Sequence, residues 1–143
     1  MEMFGYKCNL QTDTEVITYI ADYLLRREGL TLEELSEVIA APFWSEIEQE
    51  KDVKKKERLK YLRNTYSSLL VTGPFSIILG FNGGLMALND RLKLRSLVMS
   101  EMDDIVYIAS EECAIKSMNP NLKDIYSPKG GEAIIVRVKE GKF

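Results

Sequence analysis

With 143 residues, 45% of them hydrophobic and 29% charged, the chain has the size and composition of one soluble globular domain that buries about two-thirds of its unfolded surface. A formal charge of -3 gives no global attraction to phosphate, which argues against nucleic acid and acidic membrane surfaces as partners, and no run approaches the roughly 18 apolar residues of a membrane span. Histidine is absent, which removes the commonest general base and the commonest metal ligand together.

The opening residues MEMFGYKCNLQ lack a basic stretch followed by an apolar core, so the reading is cytoplasmic rather than secreted. Cys8 and Cys113 lie far apart, form neither a CxxC pair nor a metal cluster, and read as reduced, buried thiols. Neither a metal nor a cofactor is implied.

Residues 4–9 (FGYKCN) read as a short strand. Thr12 then has the position of a helix cap with Glu15 as its capping-box partner, and Val16, Ile17, Ile20 and Leu24 recur at helical spacing to about Arg27, with Gly29 as the stop. A second helix begins at Thr31 with Glu34 as its box partner, carries Leu32, Leu35, Val38 and Ile39 on one stripe, and stops before Pro42. From Trp44 to about Leu70 one longer helix is expected, with the charge-dense segment EQEKDVKKKERLK as a solvated face. Within it Glu50 with Lys54 and Asp52 with Lys56 have favourable i,i+4 spacing.

The pattern changes at Gly73 and Pro74. FSIILGF, GLMAL, RSLVMSEM and DIVYIAS are strand-length runs separated by turn residues, and Asn82–Gly83 is a strong hairpin signal between the first two. Ser110 is expected to cap a short helix, EECAIKSM, that ends at Pro120, and EAIIVRVKEG reads as the last strand. The expected fold is therefore α+β, one domain over 1–143, with helices in the first half and mainly antiparallel sheet in the second.

TDTEV at a helix start, then GPFSIILGFNGGLMALNDRLKLRSLV, then YIASEECAI, in that order and spacing, resemble the second half of class II glutamine amidotransferase domains, nearest to the glutaminase portion of archaeal-type glutamate synthases. The likeness extends over nearly the whole chain from Met3. It implies part of the four-layer αββα sandwich of N-terminal-nucleophile hydrolases. It further implies L-glutamine as substrate, and a glutamate synthase catalytic subunit or domain as the recipient of ammonia. In that family the nucleophile is an N-terminal cysteine, and an arginine and an Asn-Gly pair from the first half hold the substrate carboxylate and the oxyanion. None of these matches a position of this sequence, so no catalytic residue is assigned and the isolated chain is expected to be inactive. Where many relatives have DRxGLRP, this chain reads DRLKLRS, with Lys93 for glycine and Ser96 for proline.

Asp13 is the candidate substrate-binding residue. The matching aspartate of the family accepts the α-ammonium group of glutamine, whereas the plain alternative is an acid that complements the helix dipole. Asn89, Asp90, Arg91 and Arg95 could clamp an anion, but they read better as a turn in which Asp90 accepts backbone hydrogens beside an arginine. Cys113, in the first turn of a short helix, is the one thiol with an argument for activation, opposed by Glu111 and Glu112. Gly83 and Gly84 read as turn residues rather than a phosphate cradle, since no GK[ST] follows.

Two functional classes result: the glutaminase portion of a glutamate synthase, or a non-catalytic regulatory or scaffolding subunit of the same fold. Half a sandwich would leave strand edges or an apolar face uncovered, so a homo-oligomer is expected.

Overall fold

The computed structural model describes residues 4–10 and 12–139, which form two compact units meeting in sequence at Val71 and Thr72. The first is helical and the second mainly antiparallel sheet, so the α+β expectation holds, with helices first.

In the first unit, residues 4–9 are not a strand. Among the described residues they have no strand to pair with, and side chains hold the segment instead. Tyr6 Oη donates to Asp22 (2.6 Å), Arg27 donates to the Phe4 carbonyl (2.6 Å), and the Glu15 carboxylate accepts the Asn9 and Leu10 N–H groups (2.8 and 2.7 Å). Tyr6 stacks on Tyr19 at 5.0 Å.

Helix α1 (Asp13–Asp22) is capped by Thr12, whose hydroxyl accepts the Glu15 N–H at 3.3 Å. The expected box is half made, because the Glu15 carboxylate serves Asn9 and Leu10 while the Thr12 N–H bonds to the Leu10 carbonyl. The helix continues to Arg27 as expected, but Tyr23–Arg27 is a π-helical turn in which the Glu28 N–H reaches the Tyr23 carbonyl. Gly29, at φ 71°, then turns the chain.

Helix α2 (Leu32–Ile39) has the complete Thr31–Glu34 capping box, and Leu32, Leu35, Val38 and Ile39 are all buried. The expected long third helix is two: α3 (Trp44–Gln49) and α4 (Val53–Thr65), followed by a 3-10 turn at Ser67–Leu69. The acids between them cause the break. Asp52 leaves the helical conformation and caps α4 by accepting the Lys54 and Lys55 N–H groups, while Glu50 accepts those of Lys51 and Asp52. The Glu50–Lys54 and Asp52–Lys56 pairs consequently do not form. Glu50 instead meets Lys55 at 2.9 Å, and Glu48 meets Lys56 and Lys60 at 3.2 and 2.8 Å. These solvated pairs contribute at most about 1 kcal/mol each. Leu59 and Leu62 are the buried side of α4.

In the second unit, β1 (Ser76–Phe81) and β2 (Gly84–Asn89) form the expected hairpin, turned at Asn82–Gly83 with Gly83 at φ 81°. Strand β5 (Ile134–Arg137) pairs with β2 to give the order β1-β2-β5, and β3 (Val98–Met102) pairs with β4 (Ile105–Ala109). Ala87, Leu97, Met99 and Ile134 form a shared core, with Val106, Ile108 and Val136 packed against it.

Two further expectations are corrected in this unit. Helix α5 (Glu112–Met118) is preceded by Glu111, not Ser110, as its cap residue, and Glu111 makes no capping bond. Ser110 uses its carbonyl to accept the Ser96 hydroxyl at 2.7 Å. The last strand is shorter than EAIIVRVKEG because Lys129–Glu132 is a turn, closed by the Glu132 N–H on the Lys129 carbonyl and the Glu132 carboxylate on the Lys129 N–H. Residues 140 and 141 of that run lie outside the described residues. No described helix is long and apolar enough to cross a membrane.

Gly84 and Gly80 make a contrasting pair. A Cβ at Gly84 would stand 2.2 Å from the Val136 carbonyl oxygen and 2.7 Å from the Phe81 ring, whereas one at Gly80 meets open space. Gly84→Ala should lower stability by about 1–3 kcal/mol, since the β5 backbone must move. Gly80→Ala should raise it by up to about 1 kcal/mol through reduced unfolded-state entropy. Thermal or urea unfolding of the two variants checks the opposite signs.

Candidate functional site

Within TDTEV the fold uses two of the polar side chains and presents a third. Thr12 caps α1, and Glu15 turns back to residues 9 and 10, its carboxyl held below the usual range first by the Asn9 N–H. Asp13 stands exposed in the first turn, and among the described residues its one hydrogen bond is from the Thr14 N–H to Oδ1 at 2.9 Å. The carboxylate thus keeps acceptor positions directed to solvent, where a cation such as an ammonium group can reach them.

Asp90 is the opposite case. It is 3% exposed, and its carboxylate accepts four backbone N–H groups: Leu92 (3.1 Å) and Leu94 (3.0 Å) on Oδ1, Arg95 (3.0 Å) and Phe75 (3.3 Å) on Oδ2. Desolvation pushes its pKa up, but the four backbone bonds together outweigh it and hold the carboxyl below its ordinary value. Its acceptor sites are taken by the turn, so it is no anion clamp and no free acid. Asn89, fully buried beside it, donates to the Arg95 carbonyl at 3.3 Å, while Arg95 is exposed. The turn reading of 89–95 is therefore the one the geometry supports.

Lys93 within this turn has φ 56°, in the left-handed region, and its N–H closes on the Asp90 carbonyl at 2.9 Å. Gly130 passes close by: a Cβ there would stand 2.4 Å from the Arg91 carbonyl oxygen. Gly83 supplies the hairpin turn, whereas Gly84 is required by close packing rather than by the turn.

Neither cysteine is buried, contrary to the sequence reading. Cys8 lies in the extended segment before α1, and Cys113 stands on the outer side of α5. The Cys113 thiol donates to Glu111 at 3.2 Å, and that bond, with desolvation and the Glu111 charge, raises its pKa. The acid outweighs the helix end, so this thiol is suppressed rather than activated.

One cluster had no local sequence signal. Glu28 accepts the Tyr66 hydroxyl at 3.0 Å from 38 positions away, and Tyr23 also hydrogen-bonds to it. Its carboxyl is lowered by Tyr23 and then Tyr66, while burial and then the Glu28 bond push the Tyr66 phenol up to about 12. A cleft of about 190 Å³ in the same unit is lined by Trp44, Arg63 and Tyr66, with Arg63 over the Trp44 ring at 5.1 Å. In the second unit a cleft of about 430 Å³ runs along β5 beside Met99 and Glu101. Among the described residues no group of three or more His, Cys, Asp or Glu side chains is placed to hold a metal.

The chain is 42% identical over 139 residues to an uncharacterized protein of Archaeoglobus fulgidus, a match that covers 97% of this chain and 36% of that protein. It is 30% identical over 109 residues to an amidophosphoribosyltransferase of Methanocaldococcus jannaschii, covering 76% of this chain and 21% of that one. The chain thus spans about a third and a fifth of the lengths of these relatives. No family model and no solved structure matches it. Over those 109 residues its sequence is similar to part of an amidophosphoribosyltransferase.

Asp90→Asn should cost about 2–3 kcal/mol at neutral pH, because an amide NH2 then faces backbone donors and leaves them unsatisfied in a buried place. A depressed folded pKa means that the contribution of Asp90 is complete above its unfolded value and fades as pH falls through the folded one. The stability difference between wild type and Asp90→Asn should accordingly shrink in strong acid. Lys93→Gly should raise stability by up to about 1 kcal/mol by relieving a left-handed residue. Chemical denaturation across pH measures both effects.

Proposed function

We propose that the chain is the C-terminal portion of a single class II glutamine amidotransferase domain of the glutamate synthase kind, acting in the cytoplasm. In the complete domain, ammonia released from L-glutamine passes to a synthase subunit or domain that makes glutamate. The observation that carries this reading is the Asp13 carboxylate, exposed at the start of α1 within TDTEV, in a chain with an amidophosphoribosyltransferase relative.

The proposed role of Asp13 is to accept the α-ammonium group of glutamine, so that an amino acid is selected over a simple amide. The nucleophilic cysteine, its α-amino base and the oxyanion donors belong, in this proposal, to a segment outside the 143 residues. Thiolate attack on the γ-amide carbonyl expels ammonia, and water then releases glutamate from the thioester. The turn at Lys93 supports the same reading: where many relatives of this type carry glycine, the backbone here has a glycine-like φ of 56°.

A second reading, a non-catalytic regulatory or scaffolding subunit, draws on the suppressed Cys113 thiol and the absence of histidine. Activity measurements separate the two. Alone, the chain should release no ammonia from L-glutamine above a heat-killed control; release that is lost on Cys113→Ala would overturn the assignment of the nucleophile.

Fused to the part of the Archaeoglobus fulgidus relative outside the matched region, the chain should gain glutamine turnover. Asp13→Asn should then lower kcat/KM about ten- to over a hundred-fold, the equivalent of roughly 1.5–3 kcal/mol, with much less effect on melting. If Asp13 served only the helix dipole, Asn would cost about 1 kcal/mol of stability or less and leave kcat/KM unchanged.

A further inference from the structure

Two opposed stripes run along the first helix. Counting by fours and threes from Asp13 reaches Ile17, Ile20 and Leu24, of which Ile20 and Leu24 are buried. The same count from Glu15 reaches Tyr19 and Asp22, and this stripe holds the entering segment: Tyr19 stacks on Tyr6, and Asp22 accepts the Tyr6 hydroxyl at 2.6 Å. Asp13 thus stands at the head of the apolar stripe, on the opposite side of the helix from the stripe that carries residues 4–10.

Glu15 is where that segment is fastened to the helix start. Its Oε1 accepts the Asn9 N–H at 2.8 Å and its Oε2 the Leu10 N–H at 2.7 Å, while the Tyr19 hydroxyl donates to Oε1 at 3.0 Å. The Leu10 carbonyl in turn accepts the Thr12 N–H at 2.8 Å. One carboxylate therefore ties backbone that precedes Asp13 to the helical turn that follows it. A full capping box would have used the same acid for the cap residue's own N–H, as Glu34 does for Thr31 in α2. Glu15 forgoes that bond and holds two amides outside the helix.

From this clasp we propose that Glu15 is a positioning residue for Asp13. By fastening residues 9 and 10 to the first turn, it fixes the backbone on both sides of Asp13, and with it the direction in which the Asp13 carboxylate meets an ammonium group. The inference rests on the amidotransferase reading and adds to it a residue that does not touch substrate. The Glu15 oxygens are engaged by Asn9, Leu10 and Tyr19, so its action passes through the backbone. Without the clasp, the Thr12 cap alone steadies the first turn, and a misplacement of about 1 Å in a binding group is enough to lower turnover of a substrate up to about a hundredfold. Because the nucleophile lies elsewhere, the loss should fall on KM and spare kcat.

Hydrogen exchange on the 143-residue chain and glutamine kinetics on its fusion to the unmatched part of the Archaeoglobus fulgidus relative test the proposal. In the chain, the Asn9 and Leu10 amides should exchange faster in Glu15→Ala than in the wild type. In the fusion, Glu15→Ala should raise the KM for glutamine about tenfold or more and leave kcat within about threefold. Glu15→Gln keeps the reach and one acceptor oxygen, so it should recover part of the affinity, and it carries the test if the alanine variant does not fold. An unchanged KM in folded Glu15 variants, in a fusion that still responds to Asp13→Asn, would overturn this inference alone and leave Glu15 a structural acid. A loss of kcat at constant KM would overturn it as well. A fusion that turns over no glutamine even with the wild-type chain would remove the amidotransferase reading and this inference together.

Discussion

The carboxylate of Asp90 is the point on which the second unit turns. Four backbone N–H groups converge on it from two sides of the chain, one from Phe75 just before β1 and three from the loop that leads to β3. Burying a carboxylate is costly unless its charge is met by donors, and here peptide groups meet it. The hairpin is thereby fixed to the start of β3. Smaller bonds extend the same junction: Asn89 to the Arg95 carbonyl, Ser96 to the Ser110 carbonyl, and Ser127 to the Leu97 carbonyl.

The first unit uses its acids in a related way, with side chains in place of a sheet. Asp22, Glu15 and Glu28 hold the entering segment and the end of the first helix through tyrosine hydroxyls and backbone amides. Against this background Asp13 differs in degree, because among the described residues its carboxylate accepts only the adjacent Thr14 N–H. Its neighbours in TDTEV serve the fold, and its own carboxylate faces solvent. The same contrast separates Asp13 from Asp90: both are acids in resembling segments, one available to a ligand and one consumed.

Local chemistry was legible in the sequence where a few adjacent residues decide the outcome. The Thr31–Glu34 box, the Asn82–Gly83 turn and the stripe of α2 are of this kind. The break at residues 50–52 was hidden because acids suited to i,i+4 pairs are equally suited to capping, and the backbone amides claimed them first. Residues 4–9 alternate like a strand, yet a strand exists only with something to pair with. The exposure of Cys8 and Cys113 depends on which side of a segment faces out, which spacing alone does not settle. As for the site, the turn-forming role of Asp90 was readable from its neighbours, but its bond to Phe75 spans 15 positions and was not. The role proposed for Asp13 rests on resemblance alone, since an acid in a first helical turn is otherwise an ordinary capping feature.

The most direct test of the Asp90 junction is an acid titration followed through the amide protons of Phe75, Leu92, Leu94 and Arg95. If one carboxylate binds all four, their shifts must move together with a single midpoint, below the ordinary aspartate range because its folded pKa is depressed. Separate midpoints, or a common one at or above the ordinary value, would contradict the account.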